Sequence, residues 1–308
     1  MLRIMKASTI LRPLLYGLLL FTPILASSVS RAADLTLEQA KAGAEKGDPE
    51  AEFYLGRAYF RGEGVPQDDA KAFGLYRKAA DQGNAKAENN LGFMYINGRG
   101  VKADPVEALK WYRKAAEQGT ALAQENLALM LSTGAPGVPQ DLKQALPWFQ
   151  KAAGQGLLKA QVHLGKLYYF GDDGVEKNYF QAAKWVGAAA QQGNAWAQNI
   201  LGAMYEDGLG LGKDQKAAVM WYRKAAEQGN AKGQSNLGRM YSRGFGVERD
   251  LAQAYKWLTL SANQGEITAT KDLDELKLGM TQKQIDEGQR LVSEFSGQKT
   301  APDPSSAQ

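Results

Sequence analysis

Residues 84–119 read NAKAENNLGFMYINGRGVKADPVEALKWYRKAAEQG, and this stretch decides the fold. Asn84 is placed to cap a helix, its side chain accepting a hydrogen bond from a free first-turn N–H. The helix it starts, helix A, runs to about Asn97. Gly98-Arg99-Gly100 ends it, because glycine tolerates the positive φ of a tight turn. Val101 tucks the loop back onto the core. Asp104 caps a second helix, B, with Pro105 at its first position, where a missing N–H costs nothing. Helix B closes at Gly119, and Thr120 stands where the next helix A is capped. At 100° per residue, Ala87, Leu91, Met94 and Tyr95 cluster on one side of helix A, while Trp111, Tyr112, Ala115 and Ala116 give helix B its apolar face. Gly92 lets the two helices approach closely.

Working outward, the same unit recurs along the chain. Leu-Gly-x-x-Tyr stands at Leu55, Leu91, Leu164, Leu201 and Leu237, and Leu127-Ala128 with Leu131 fills the gap, at spacings of 36, 36, 37, 37 and 36 residues. Leu75, Trp111, Trp148, Trp185, Trp221 and Trp257 keep step in helix B. The helix-B cap recurs as Asp68, Asp141, Asn178, Asp214 and Asp250, and a closing glycine recurs from Gly47 to Gly265. Independent series recurring at one period define a repeat, and helix pairs that cannot bury an apolar face alone stack on their neighbours. The expected fold is all-α: an α/α superhelical solenoid of six helix-turn-helix repeats of about 36 residues at 48–83, 84–119, 120–156, 157–193, 194–229 and 230–265. A capping helix is expected within 33–47 and closing helices within 266–296. Thr281-x-x-Gln284 is a capping box, and Ile285, Leu291, Val292 and Phe295 form the closing stripe. The polar segment 297–308 reads as a disordered tail.

The first 32 residues read as a cleaved signal peptide. Arg3, Lys6 and Arg12 precede the apolar stretch Leu14–Ala26, and Ser30-Arg31-Ala32 supplies the small residues of a cleavage site. The apolar run is short for a membrane anchor, which needs roughly 20 residues. Periplasmic or secreted localisation follows, with the membrane involved only in export. Removing residues 1–32 leaves 33 basic and 33 acidic residues, so the basic balance of the whole chain gives no electrostatic case for nucleic acid. The chain has no cysteine, which excludes a lipid-anchored cysteine and a disulfide framework.

The unit resembles the Sel-one-like repeat, a relative of the tetratricopeptide repeat, in its Leu-Gly-x-x-Tyr, Gly-x-Gly-Val, Asp and Trp-Tyr-Arg-Lys-Ala-Ala sequence. The resemblance covers 48–265, and 281–295 is similar to the helix that closes such arrays. It implies a solenoid that scaffolds or recognises other proteins, and in exported bacterial members a role in signalling regulation, envelope processes or host contact. The third repeat departs from the pattern by lacking the helix-A Gly and Tyr and by carrying Pro147 in helix B. The loops Gly134–Val138 and Gly171–Val175 are each one residue longer.

No chemistry stands out. His163 is the single histidine, and beside Leu164 it reads as structural. Gly208-Leu209-Gly210-Leu211-Gly212-Lys213 lacks the spacing, the Ser or Thr and the preceding strand of a phosphate loop, and is the repeat's own turn. Asp172-Asp173 offers too few oxygens for calcium. No catalytic, cofactor-binding or metal-binding residue is assigned. The leading expectation is an exported interaction scaffold or regulator with a protein partner. The alternatives are a glycan- or peptidoglycan-binding module and a cell-wall hydrolase of the kind linked to β-lactams in cysteine-rich relatives, whose disulfide framework is missing here.

The partner-binding expectation rests on helix A. Counting from its cap, positions 4, 8, 11 and 12 turn inward, and 3, 6, 10 and 13 lie opposite. This second set is variable yet keeps Phe53, Phe60, Phe93, Ile96, Leu122, Leu129, Val162, Tyr169 and Trp196. An outward apolar stripe marks contact, either with a partner or with the neighbouring repeat. By analogy with tetratricopeptide arrays it lines the concave face. Phe93, Tyr169 and Trp196 are the expected anchors, with Arg57, Lys166 and Arg239 steering an acidic partner.

Overall fold

The computed structural model describes residues 35–172 and 174–300; side chains are described to residue 296. The leader segment 1–32 lies outside the described residues. The described chain is a run of helices: α1 Leu37–Glu45, α2 Pro49–Arg61, α3 Asp69–Asp81, α4 Ala85–Asn97, α5 Pro105–Glu117, α6 Ala121–Thr133, α7 Leu142–Gly154 and α8 Leu158–Phe170. It continues with α9 Tyr179–Gln191, α10 Ala195–Asp207, α11 Gln215–Glu227, α12 Ala231–Arg243, α13 Leu251–Ala262, α14 Ile267–Leu278 and α15 Gln282–Thr300. No strand occurs among the described residues. Each even-numbered helix from α2 to α12 is a helix A, and the odd-numbered helix after it is the helix B of the same unit.

Local chemistry sets the boundaries. Asp68, Asp104, Asp141, Asn178, Asp214 and Asp250 all accept first-turn N–H groups of their B helices. Asn84, Asn194 and Asn230 do so for A helices, whereas Thr120 occupies the cap position of α6 without making the side-chain bond. Gly98 closes α4 in the left-handed region at φ 66° and ψ 31°. Where a loop carries its extra residue the turn changes: Gly134 and Gly171 take ψ of 170° and 163°, and Ala135–Val138 and Asp172–Val175 form small bridges. α7 runs unbroken through Pro147, which sits on its exposed side.

The core is a continuous seam between helix pairs. Ala87, Leu91 and Met94 are fully enclosed, and Trp111, Tyr112, Ala115 and Ala116 are buried against them. A Cβ added to Gly92 would come within 2.6 Å of the Tyr112 ring, so glycine sets the A–B spacing. The ends follow the same logic. α1 carries a capping box from Thr36, and α15 docks on α13 through Gly288 against Tyr255 and Phe295 against Trp257. α15 continues to Thr300, so the polar tail read from residue 297 begins as helix; 301–308 lie outside the described residues.

A polar ladder runs through this seam. Position 5 of helix A is Glu52, Glu88, Gln124, Gln161, Gln198 and Gln234, all buried. The glutamine before each closing glycine donates to it at 2.7–2.9 Å. The four position-5 glutamines also donate to a carbonyl of the preceding helix B. An ionised glutamate has no proton for that second bond. Burial raises the Glu88 carboxyl above its ordinary range, with Lys114 and Gln118 pulling the other way. A carboxyl raised in the folded state binds its proton more tightly there, so its contribution is present at acid pH. It is lost as pH climbs from the ordinary carboxylate value through the raised one. Glu88→Gln is therefore expected to stabilise the array at pH 7 by about 1 kcal/mol, the worth of one added hydrogen bond. Denaturant midpoints at pH 5 and pH 8 check this: the gain over the native sequence should widen with pH, and a gain that shrinks would contradict it.

Candidate functional site

Successive A helices touch one another through side chains at positions 6 and 7. Asn126 donates to Asn89 at 2.8 Å and Asn236 to Asn199 at 2.9 Å. The corresponding slot between α6 and α8 holds Glu125 and His163, 3.8 Å apart. His163 bonds the Lys159 carbonyl through Nδ1 and stacks on Phe149, and burial lowers its pKa. Glu125 is buried, which raises its carboxyl.

These contacts correct the expected binding stripe. Position 6 was assigned to the outward side, yet Phe53, Asn89, Glu125, Asn199 and Ser235 are buried there, and Val162 is half-buried. A helical wheel with one buried face puts position 6 outside, but a helix in a stack is flanked on both sides, and the neighbouring A helix covers it. Position 3 is open at Lys86, Leu122, Lys159 and Lys232, and position 10 at Phe93 and Lys166, while Arg57, Leu129, Ala203 and Arg239 at position 10 are half-buried. Phe93 is 40% exposed and Leu122 47%.

The six candidate residues do not form one site. Phe93 packs edge-on against Phe60 at 5.9 Å and borders a cleft of about 280 Å³ between α2, α4 and α6. Arg57 lines an adjoining lobe of about 300 Å³. Further along, the exposed Lys166 lies over the half-buried Trp196 ring at 5.3 Å, and Tyr169 meets Phe170 and Tyr179 edge-on. Arg239 is not free to steer a partner: it is paired with Glu206 at 3.0 Å, and Glu206 also accepts from the Tyr222 hydroxyl at 2.6 Å.

The cleft at the first three repeats brings in residues that the sequence reading passed over. Tyr76, from helix B, reaches its floor with 1% exposure. Its hydroxyl makes no well-formed hydrogen bond. Burial pushes the phenol up to about 12, against the pull of Asn90, Arg61, Arg57 and Arg99. Arg57 stacks over Tyr54 at 4.5 Å, and its Nε is enclosed with no acceptor. Arg61, Lys86 and Arg99, by contrast, already face Glu63, Glu50 and Asp69. Among the described residues no group of three or more metal-ligating side chains gathers, and no helix is long and apolar enough to cross a membrane.

A stack of helix pairs with a polar ladder in its seam and side-chain clefts along one helix row defines a repeat solenoid, an architecture built for binding other proteins. Six successive segments, 49–84, 85–120, 121–157, 158–194, 197–230 and 231–266, match the Sel1 repeat, and the chain belongs to that family. It is similar to the crystal structure of a protective antigen of uropathogenic Escherichia coli strains with an SLR fold. There it is 33% identical with a TM-score of 0.69, over 87% of this chain and 59% of that one. It thus spans less than two thirds of that protein's length. It is also similar to a Sel1 repeat protein from Oxalobacter formigenes, at 32% identity and a TM-score of 0.61, over 82% of this chain and 99% of the other. No curated protein matches the sequence.

Proposed function

We propose that the mature chain is an exported scaffold that holds a protein partner on the concave face lined by its A helices. One observation carries the reading: the cleft at α2, α4 and α6 leaves Phe93 and Leu122 open to solvent beside an arginine with no acid partner. Large exposed apolar groups gathered at a concave site mark contact with another molecule. The hydrolase alternative would call for a carboxylate pair or a nucleophile–base pair, and the residues that line the cleft supply neither.

Two measurements test this. A photoreactive phenylalanine analogue at position 93 is expected to crosslink a partner in the native cells, while the same analogue at the exposed helix-B position 110 is not. Equal yields, or crosslinks from 110 alone, would move the binding face elsewhere. Export rests on the basic, apolar and small-residue segments of 1–32. Intact mass of protein recovered from the periplasm or medium is expected to match a chain starting at Ala33, and a mass retaining Met1 would overturn the export reading.

A further inference from the structure

A tyrosine follows the Leu or Trp of helix B at Tyr76, Tyr112 and Tyr222, and at one of these three places its hydroxyl closes on an acid. Tyr76 and Tyr222 occupy the same place in helix B of the first and fifth repeats, one residue after Leu75 and Trp221. At the later junction the Tyr222 hydroxyl and Arg239 of the next A helix close on the Glu206 carboxylate, at 2.6 Å and 3.0 Å. Glu206 is at position 13 of its helix A. In the first repeat position 13 is Phe60, and the place of Arg239 is taken by Phe93. The acid is gone, but cationic donors are not: Arg57 stands beside Tyr76 in the same lobe, its enclosed Nε lacking an acceptor, and it makes no ion pair. Next to this polar end, the adjoining lobe is apolar, bounded by Phe60, Phe93 and Leu122.

We propose that this cleft takes a glutamate side chain from an extended segment of the protein partner, seated in the lobe that Arg57 and Tyr76 line. Its carboxylate accepts from Arg57 and the Tyr76 hydroxyl, and an apolar residue of the same segment rests on Phe93 and Leu122. Charge-assisted hydrogen bonds to an enclosed arginine and tyrosine are short and strong, and a donor already shut away from water loses little more on binding. The commitment to a side chain, and not to a chain-terminal carboxylate, follows from the in-chain example. The proposal rests on the A-helix face being the binding face.

The test uses the mature full-length chain and three labelled decapeptides that each carry one Phe. One has Glu beside the Phe and is blocked at both ends, one is blocked with Gln in place of Glu, and one carries Gln and a free C-terminal carboxylate next to the Phe. Fluorescence anisotropy is expected to show the Glu peptide binding at least about tenfold tighter than its blocked Gln counterpart, the scale of a hydrogen bond to a charged group. Tyr76→Phe and Arg57→Gln should each collapse that ratio toward one. Tyr76→Phe removes a hydroxyl that bonds to nothing well, so it is expected to keep the native melting temperature. Equal binding of the two blocked peptides, or no binding of the Glu peptide at millimolar concentration, overturns the proposal. A preference for the free C-terminus overturns the side-chain assignment. Crosslinking at position 93 is read independently: crosslinks without a glutamate preference sink this inference alone, and their absence sinks the interaction reading beneath it.

Discussion

Trp111→Ala is expected to cost roughly 3–5 kcal/mol, the range for removing a large buried aromatic side chain. Trp111 is 5% exposed, in α5, and packs in one cluster with Ala87, Leu91 and Met94 of α4 and with Tyr76 and Ala79 of α3. Arg77 and Lys114 lie over its ring at 5.1 and 4.6 Å, so their stems cover what the core does not. Truncation to alanine opens a void on both sides of a repeat boundary, and small neighbours such as Ala87 and Ala115 cannot refill it. Repeats couple mainly to their neighbours, so the loss should appear as early unfolding of the first two units and not as a uniform shift. Denaturant melts followed by helical signal should show a lowered midpoint with a broadened or split transition. Trp111→Phe should cost much less. The indole N–H is enclosed without a partner, so phenylalanine gives up area but relieves an unsatisfied donor. An unchanged midpoint for Trp111→Ala would remove this residue from the core.

The parts of the fold that were legible in the sequence are those governed by local chemistry. Asp104, Pro105, Gly98 and Gly119 act within a few residues of where they stand, and their recurrence gives the helix bounds and the period. The closing capping box Thr281–Gln284 was legible for the same reason and is formed, the Thr281 N–H donating to Gln284 at 2.9 Å. What stayed hidden depends on neighbours about 30 to 37 residues away. Position 5 is Glu or Gln, residue types that are mostly exposed. It is buried because the glutamine at the end of the next helix B satisfies it, and the co-recurrence of Glu or Gln at position 5 with Gln-Gly was the signal available. Arg239 looked like a free charge because its partner Glu206 is 33 residues back, across a repeat boundary. Tyr76 was passed over since a helix-B aromatic reads as core. It is core, but it also lines the floor of the cleft, and its enclosed hydroxyl has no well-formed hydrogen bond. In each case the repeat supplies the scaffold, and the departures from it, such as Phe60 where another unit has Glu206, give each junction its own surface.

Gly210→Ala is expected to destabilise the array by about 2–5 kcal/mol, combining the cost of a left-handed non-glycine residue with that of overpacking. Gly210 has φ +68°, and an added Cβ would lie 2.1 Å from the Tyr179 carbonyl oxygen and 2.3 Å from its carbon. Those atoms are backbone at the start of α9, so no side-chain rotation relieves the clash; either the 208–213 loop or the end of α9 must move. Gly100 and Gly246 make the same approach to Asp69 and Gln215, at 2.2 Å each, which identifies the contact as the way these three A–B loops are pinned to the preceding helix B. Gly212, two residues on, has an ordinary φ and nothing within 4 Å of an added Cβ. Gly212→Ala should therefore be neutral or stabilising by up to about 1 kcal/mol, through reduced freedom of the unfolded chain. The pair separates two accounts of this glycine-rich segment. If its glycines served to admit a phosphate, their replacement would matter for a ligand and little for the melting temperature. If they serve packing, thermal melts will show a large drop for Gly210→Ala and none for Gly212→Ala, and equal midpoints for the two variants would rule the packing account out.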